Sequence, residues 1–248
     1  MVADAMTDAE LAAELAGEAA RLLVELRETS GVNGRELGQL GDERANRLIL
    51  DRLATERPAD AVLSEESKDT PERLTRSRVW IIDPLDGTRE YGEGRDDWAV
   101  HVALAVDGVA SVGAVALPGQ VLRSDQPAPL APPNRPPRMV VSRTRPAQEA
   151  VHVAVSLQAE LVPMGSAGAK AMAVVLGQSD IYLHSGGQYE WDNCAPVAVA
   201  RAYGLHCSRI DGSALVYNCA DVSLPDLLIC RKQDAARVLK LVAEIGAA

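Results

Sequence analysis

Phenylalanine is absent from this 248-residue sequence and alanine abundant, a bias that reflects codon usage more than chemistry. Cysteine is scarce. Cys194, Cys207, Cys219 and Cys230 all fall in the last quarter, none in a C-x-x-C pair and none with a histidine at ligand spacing. That excludes a zinc site and a disulfide framework, and leaves reduced, mostly buried thiols. Positive charge is also in short supply: 25 Lys+Arg stand against 35 Asp+Glu, a net charge of -10 and a pI of about 4.9. Nucleic acid wants clustered Lys and Arg and is excluded as a partner. Carboxylates in such excess can equally gather cations. No apolar run reaches the roughly 18 residues of a membrane span, and the acidic start Met1-Val-Ala-Asp-Ala-Met-Thr-Asp lacks a signal peptide's basic and apolar regions. The expectation is a cytoplasmic protein with no membrane partner.

What is present reads as globular. Hydrophobic residues at 47% and charged residues at 24% are ordinary usage for a chain of one large domain or two smaller ones sharing a core. Thr7-Asp8-Ala9-Glu10 has capping-box spacing, and Leu11, Leu15, Ala19, Leu22, Leu23 and Leu26 follow in a helical stripe. A second helix is predicted from Asp42 to about Glu56, ended by Pro58. Residues 61–63 and 79–82 read as short buried strands, and 98–117 alternates around Asp107-Gly108 as a hairpin. The only Pro-dense stretch, 126–137, separates an N-terminal α+β half (1–125) from a C-terminal half (138–248). The second half alternates strands at 139–142, 160–163, 181–183 and 226–230 with helices at 147–157, 167–176, 192–203 and 234–245, which is α/β patterning without internal repeats.

Three acidic clusters sit at strand ends or a helix start: Glu65-Glu66, the run Asp83-Pro84-Leu85-Asp86-Gly87-Thr88, and Asp192. Taken singly they have plain explanations. Glu65-Glu66 alone is a solvated loop, Asp192 alone a helix cap, and Asp107-Gly108 and Asp211-Gly212-Ser213 are turns. The six-residue run is different, because a structural turn has no use for two acids after an apolar strand. Hard cations such as Mg²⁺ want carboxylates, carbonyls and water. Pro84 fixes φ, Gly87 permits a tight turn, and the two Asp can converge with the Leu85 carbonyl between them. Gly87 and Thr88 then open a turn whose N–H groups can hold a phosphate oxygen. Convergent carboxylates beside a phosphate-accepting turn suit metal-assisted phosphoryl transfer. The Asp-x-Asp-Gly-Thr spacing of haloacid-type phosphatases is not met, because Pro84 and Leu85 separate the acids.

Leu63-Ser64-Glu65-Glu66-Ser67, then Trp80-Ile81-Ile82-Asp83-Pro84-Leu85-Asp86-Gly87-Thr88, then Trp191-Asp192 with Ala195, resemble the inositol monophosphatase family in content and order, over about residues 8 to 245. The resemblance implies a layered αβαβα sandwich, of the type shared with fructose-1,6-bisphosphatase. It also implies two or three Mg²⁺ ions, lithium sensitivity, a homodimer and hydrolysis of a small phosphate monoester. Glu65, Asp83, the Leu85 carbonyl, Asp86 and Asp192 match the family's metal ligands. Thr88 matches the hydroxyl that orients the attacking water, and Asp42 its acidic partner. Gly165-Ser166 with Lys170 resembles the family's Gly-Ser-x-x-x-Lys segment, so Ser166 and Lys170 are candidate substrate contacts beside Gly87 and Thr88. A solvated helical lysine is the alternative for Lys170.

The run continues Arg89-Glu90-Tyr91, similar to the branch acting on adenosine 3',5'-bisphosphate, where the inositol branch has Thr-Asn-aromatic. Seven residues before Asp192 that inositol branch carries a sugar-contacting acid; here the residue is Ser185. Both departures point to a nucleotide bisphosphate, with its sulfated form as a further substrate. An inositol or fructose-1,6-bisphosphate phosphatase and a catalytically silent metal- or nucleotide-binding regulator are the alternatives. Tyr182, Tyr189 and Trp191 are available for adenine, with core packing the plainer reading of Trp191. The four histidines carry no assigned role, and Arg76 and Arg78 read as surface charges.

Overall fold

Helix α1 (Asp8–Thr29) starts where the spacing predicts: the Glu10 N–H donates to the Thr7 hydroxyl at 3.2 Å and the Thr7 N–H to the Glu10 carboxylate at 2.9 Å. The computed structural model describes residues 6–246. Helix α2 (Gly34–Glu56) begins two turns before the expected Asp42. Gly34, Gly38 and Gly41 weaken the helical signal there, yet Leu37, Gly38, Gly41 and Asp42 are buried on one face. Asp42 therefore lies inside the helix, not at its start.

Strands β1 (Ala61–Ser64), β2 (Arg78–Asp86), β3 (Ala99–Val106), β4 (Val109–Leu117) and β5 (Gln120–Arg123) form the first sheet in that order. β1 runs parallel to β2, and every other pair is antiparallel. The β3–β4 turn takes positive φ at Asp107 and Gly108, 50° and 78°, as an Asp-Gly hairpin requires. A short helix α3 (Thr88–Gly92) follows β2. The second sheet uses β6 (Arg138–Ser142), β7 (Glu160–Met164), β8 (Ile181–His184), β9 (His206–Ser208) and β10 (Leu227–Cys230), ordered β7-β6-β8-β10-β9. β7, β6 and β8 are parallel, and β10 and β9 antiparallel. Its helices are α4 (Gln148–Leu157), α5 (Ala167–Val175), α6 (Glu190–Ala202) and α7 (Lys232–Gly246). The edge strands β5 and β9 are too short to show in the sequence pattern.

Period-2 alternation sorts the core into three layers. Trp80, Ile82, Val100, Val102, Leu104, Ala114 and Ala116 face α1 and α2. Val79, Ile81, Ala99, Ala103, Ala105 and Val115 face a central layer of α5 and α6, which also meets Val140, Tyr182 and Ile229 of the second sheet. Met139, Val141, Ile181, Leu183, Leu228 and Cys230 cover α4 and α7. The result is the expected αβαβα sandwich. Asp83 and His101 are cross-strand partners, and alternation points both at the central layer. Among the described residues no helix is long and apolar enough to cross a membrane. All four cysteines are free, with Cys194 and Cys230 buried. Arg78 is less free than a surface charge, since it ion-pairs with Asp60 at 2.8 Å and Asp8 at 3.0 Å.

Sheet and central layer meet most closely at Gly113, where a Cβ would lie 2.6 Å from the Ala195 carbonyl oxygen and 2.7 Å from the Ala198 Cβ. Gly113→Val overpacks this contact and is expected to cost about 1–3 kcal/mol. Thermal unfolding should then fall by roughly 2–12 °C.

Candidate metal centre

The acidic run remains strand for longer than its turn-like sequence suggests. β2 continues through Asp86, and its register with β3 slips between Asp83 and Asp86. Pro84, with no N–H for the ladder, falls at this bulge. The Leu85 N–H donates to Asp83 Oδ1 at 3.1 Å, folding the run back on itself. Gly87 takes φ 90°, and Thr88 opens α3. The Thr88 hydroxyl donates to the Leu85 carbonyl at 3.1 Å, so this candidate ligand oxygen points into the turn.

Helix α2 reaches this turn because Gly38 has no side chain: a Cβ there would sit 2.6 Å from Thr88 Cγ2. One helical turn on, the Asp42 carboxyl faces Thr88. Since the Thr88 hydrogen goes to Leu85, Asp42 Oδ1 is left buried without a partner. Burial first, then the charges of Glu66 and Glu65, push Asp42 up to about 8.

Asp86 is anchored from the second half. Oδ1 accepts the Ala167 N–H at 3.2 Å and Oδ2 the Gly168 N–H at 2.6 Å, so the carboxylate caps α5. Sequence reasoning gave His101 no role, yet it is fully buried with Nε2 3.3 Å from Asp86 Oδ2. Its Nδ1 lies 3.0 Å from the Trp191 carbonyl, which can only accept, so Nδ1 carries the hydrogen and Nε2 faces the acids. The ring thus ties β3 to Asp86 and to the residue before Asp192. Its one sequence signal is an imidazole in the alternating stripe Ala99, Ala103, Ala105, opposite Asp83.

Ligand atoms of Asp83, Asp86 and His101 lie within 4.8 Å of one another. The carboxyl of Glu65 neighbours that of Asp83 and disfavours its ionisation. Asp192 opens α6, with Oδ2 accepting the Tyr189 N–H at 2.6 Å, so it is a cap as well as a neighbour of the acids. Burial raises Asp83 well above the carboxylate range, and Glu65, Asp86 and Asp192 add to it. Glu65 stands at the exposed mouth, but protein on its inner side and the Asp192 charge push it up to about 7. Burial and Asp86 bring Asp192 to about 6. Asp86 goes the other way. Burial would raise it, but His101, the Gly168 N–H and Lys170 outweigh burial and lower it.

Ser166 and Lys170, expected to face a substrate, are turned inward. The Ser166 hydroxyl caps its own helix, accepting the Ala169 N–H at 2.9 Å. Lys170 is buried, not solvated, with Nζ donating to the Gly165 carbonyl and, at 2.7 Å, to that of Ser166. Tyr182 is buried with its hydroxyl taken by Gln188. Tyr189 is half exposed and stacks on the partly buried Trp191 at 4.9 Å. Ser185 donates to Glu149 of α4, so the carboxylate missing at position 185 in the sequence is supplied beside it in space.

Only hard oxygen donors and one imidazole converge here. Like charges packed this closely, with an unpartnered Asp42 oxygen beside them, form a cradle that suits a divalent cation. Two clefts border the turn. One of about 590 Å³ is acidic, lined by Glu36, Asp42, Glu43 and Glu66. The other, about 420 Å³, is lined by Arg89, Arg143 and Arg145.

Residues 3–127 and 136–247 match the model of the inositol monophosphatase family. The chain is 50% identical over 257 aligned positions to the 3'-phosphoadenosine 5'-phosphate phosphatase of Mycobacterium leprae (strain TN), covering 97% of this chain and 95% of that one. It is 30% identical over 190 positions to the 3'(2'),5'-bisphosphate nucleotidase CysQ of Escherichia coli (strain K12), covering 71% and 77%. Among solved structures, CysQ of Bacteroides thetaiotaomicron has a TM-score of 0.78 at 24% identity, covering 92% of this chain and 98% of that one. The inositol monophosphatase of Anabaena sp. PCC 7120 has 0.78 at 19%, covering 95% of each. At such identities the likeness is one of fold.

The raised carboxyls predict a pH-dependent stability. Unfolded, these acids titrate near 4. Between pH about 4 and 8 the metal-free folded protein therefore holds protons that the unfolded chain has released, and stability falls as pH rises. In chelator, the melting temperature should drop from pH 5 to pH 8. A divalent cation, displacing those protons, should raise it more at pH 8 than at pH 5. A cation increment that does not grow with pH refutes the cradle.

Proposed function

The chain belongs to the inositol monophosphatase family, whose members are metal-dependent phosphatases, and we propose that it removes the 3'-phosphate of adenosine 3',5'-bisphosphate with Mg²⁺, releasing AMP in sulfur assimilation. Its sulfated form is a second substrate in this reading. The observation that carries it is the 50% identity, over nearly the whole of both chains, to a protein named for that phosphatase activity. The Arg89-Glu90-Tyr91 continuation supports the same branch.

Glu65, Asp83, the Leu85 carbonyl, Asp86 and Asp192 would hold two or three Mg²⁺ ions, with Asp192 closing the site from residues 138–248. Residues 1–125 supply the other ligands, and 126–137 is the connection between the halves. When bound, the ions lower the pKa of water and neutralise charge on the leaving oxygen. The protein's part is proton placement. If the Thr88 hydroxyl turns its hydrogen to the unpartnered Asp42 Oδ1, it frees the Leu85 carbonyl and offers its own lone pairs to the attacking water. Water then adds to phosphorus, the bond to the ribose 3'-oxygen breaks, and that oxygen takes up a proton to leave as the alcohol, balancing the proton that the water gives up. Glu65, at the mouth, is placed to take the water's proton. Gly87 and Thr88 contact the phosphate through their main chain, Ser166 and Lys170 act from behind by fixing α5 and adding charge, and Tyr189 offers the exposed aromatic face for adenine. A cytoplasmic homodimer is part of the reading, supported by the family resemblance.

One observation favours a second reading. Glu149 beside Ser185 supplies a carboxylate that an inositol hydroxyl could use. A catalytically silent regulator is opposed by the full set of acids.

Mg²⁺-dependent phosphate release should be measured on adenosine 3',5'-bisphosphate, inositol 1-phosphate and fructose 1,6-bisphosphate, with and without lithium. The expected result is a kcat/KM for the nucleotide higher by orders of magnitude, with lithium inhibition. Comparable rates favour the second reading, and no turnover revives the silent binder. Asp86→Asn should lower kcat at saturating Mg²⁺ by at least roughly a hundredfold. Wild-type turnover in that variant refutes the metal assignment. Circular dichroism separates this from unfolding, since Asp86 also caps α5.

A further inference from the structure

Between Glu65 and β2 the chain makes one turn of 3-10 helix, Pro71–Thr75, and its middle residue is an arginine of 1% exposure. Arg73 grips Asp69 with two parallel bonds, Nε to Oδ1 at 2.7 Å and Nη2 to Oδ2 at 2.8 Å. Its remaining nitrogen, Nη1, donates at 2.8 Å to the side-chain oxygen of Asn218, 145 residues away in the chain. Asn218 returns the contact. Its Nδ2 donates to the Arg73 carbonyl at 3.0 Å and to the Arg76 carbonyl at 3.4 Å.

Asn218 is held as firmly on its other side. Its φ of 59° lies in the left-handed region, which asparagine tolerates better than most residues. That turn aims two consecutive main-chain N–H groups, of Asn218 and Cys219, at the two oxygens of Glu190, at 2.6 and 2.7 Å. Glu190 is 1% exposed and is the first residue of α6. Asp192 stands two residues further along the same helix. A path of hydrogen bonds therefore joins the loop that follows Glu65 to the turn of helix that carries Asp192.

Packing alone does not call for this path. Burying a guanidinium and a carboxylate is expensive, and apolar groups of similar volume would serve stability as well. What the path controls is a separation. The Asp192 charge hinders ionisation of Glu65, so without a cation the two acids repel. A cation held by both has to draw them back over any distance they have moved apart, which weakens its binding. A clasp that prevents the movement removes that penalty beforehand.

We propose that Arg73 and Asn218 are positioning residues that clasp the Glu65 loop to the start of α6 and so set the affinity of the site for divalent cations. They act through Asp69 and Glu190 and not on the cation itself. The inference rests on the reading of Glu65 and Asp192 as metal ligands, and is independent of which phosphate ester the site hydrolyses.

Calorimetric titration of Mg²⁺ into the full-length protein, without substrate, tests it. Asn218→Gly keeps the left-handed turn and removes the bridging amide. Arg73→Lys keeps the charge but cannot fork onto Asp69 while reaching Asn218. Each should weaken Mg²⁺ binding roughly tenfold, and the double variant should be no weaker than the weaker single one, because both cut one path. Val238→Ala is the control, since it lowers stability from the fully buried face of α7 in another layer of the core. Its Mg²⁺ affinity should match wild type. Unchanged affinity in the clasp variants overturns the clasp, as does an equal loss in Val238→Ala or a loss that compounds in the double variant. No binding by wild type overturns it together with the metal assignment. Weakened binding in the variants alone supports it even where no nucleotide is turned over, in which case only the substrate reading has failed. If Arg73→Lys does not fold, Asn218→Gly against Val238→Ala decides.

Discussion

Like-charge repulsion among buried carboxylates is the constraint around which this structure is arranged. Asp83, Asp86, Glu65 and Asp192 crowd one another where water cannot screen them well. Without a cation the protein divides the burden unequally. Asp86 stays ionised because α5's N–H groups, His101 and Lys170 surround it, while burial and the neighbouring acids favour the neutral forms of Asp83 and Glu65. The buried His101 and inward Lys170 are therefore parts of the acidic site and not core curiosities. A bound cation would relieve the whole set at once and so link metal binding to folding stability.

The same constraint explains the close packing around the turn. Asp42 can face Thr88 only if α2 comes close, and the bare Gly38 lets it. Asp86 can meet α5 only if both sheets clamp the central helices, and Gly113 against Ala195 shows how little slack that leaves. Small residues account for much of the core, so helix and strand axes approach until side chains of the site touch. Charge is distributed in the same spirit. An acidic cleft and an arginine cleft border one turn, so the sign of the local charge reverses across it.

Much of this was legible in one dimension. The elements follow from stripes and alternation, α1 by its capping box, the β3–β4 hairpin by Asp107-Gly108 and the strands of the second half by their alternation with helices, while the layered sandwich came from the family resemblance. The acids of the candidate site announce themselves by standing at strand ends, where a structural turn has no use for them. What was not legible was local and cooperative. The glycines of α2 hid its first two turns, and the edge strands β5 and β9 were too short to carry a period.

The sequence by itself determined the element order, the acidic constellation and the family, because periodicity and short motifs are local properties. Only the tertiary structure decided which groups keep company. His101 against Asp86, Glu149 beside Ser185 and Asp86 on the N–H groups of Ala167 and Gly168 are all relations between segments apart in the chain. Their chemistry depends on distance and burial, which no spacing along the chain encodes.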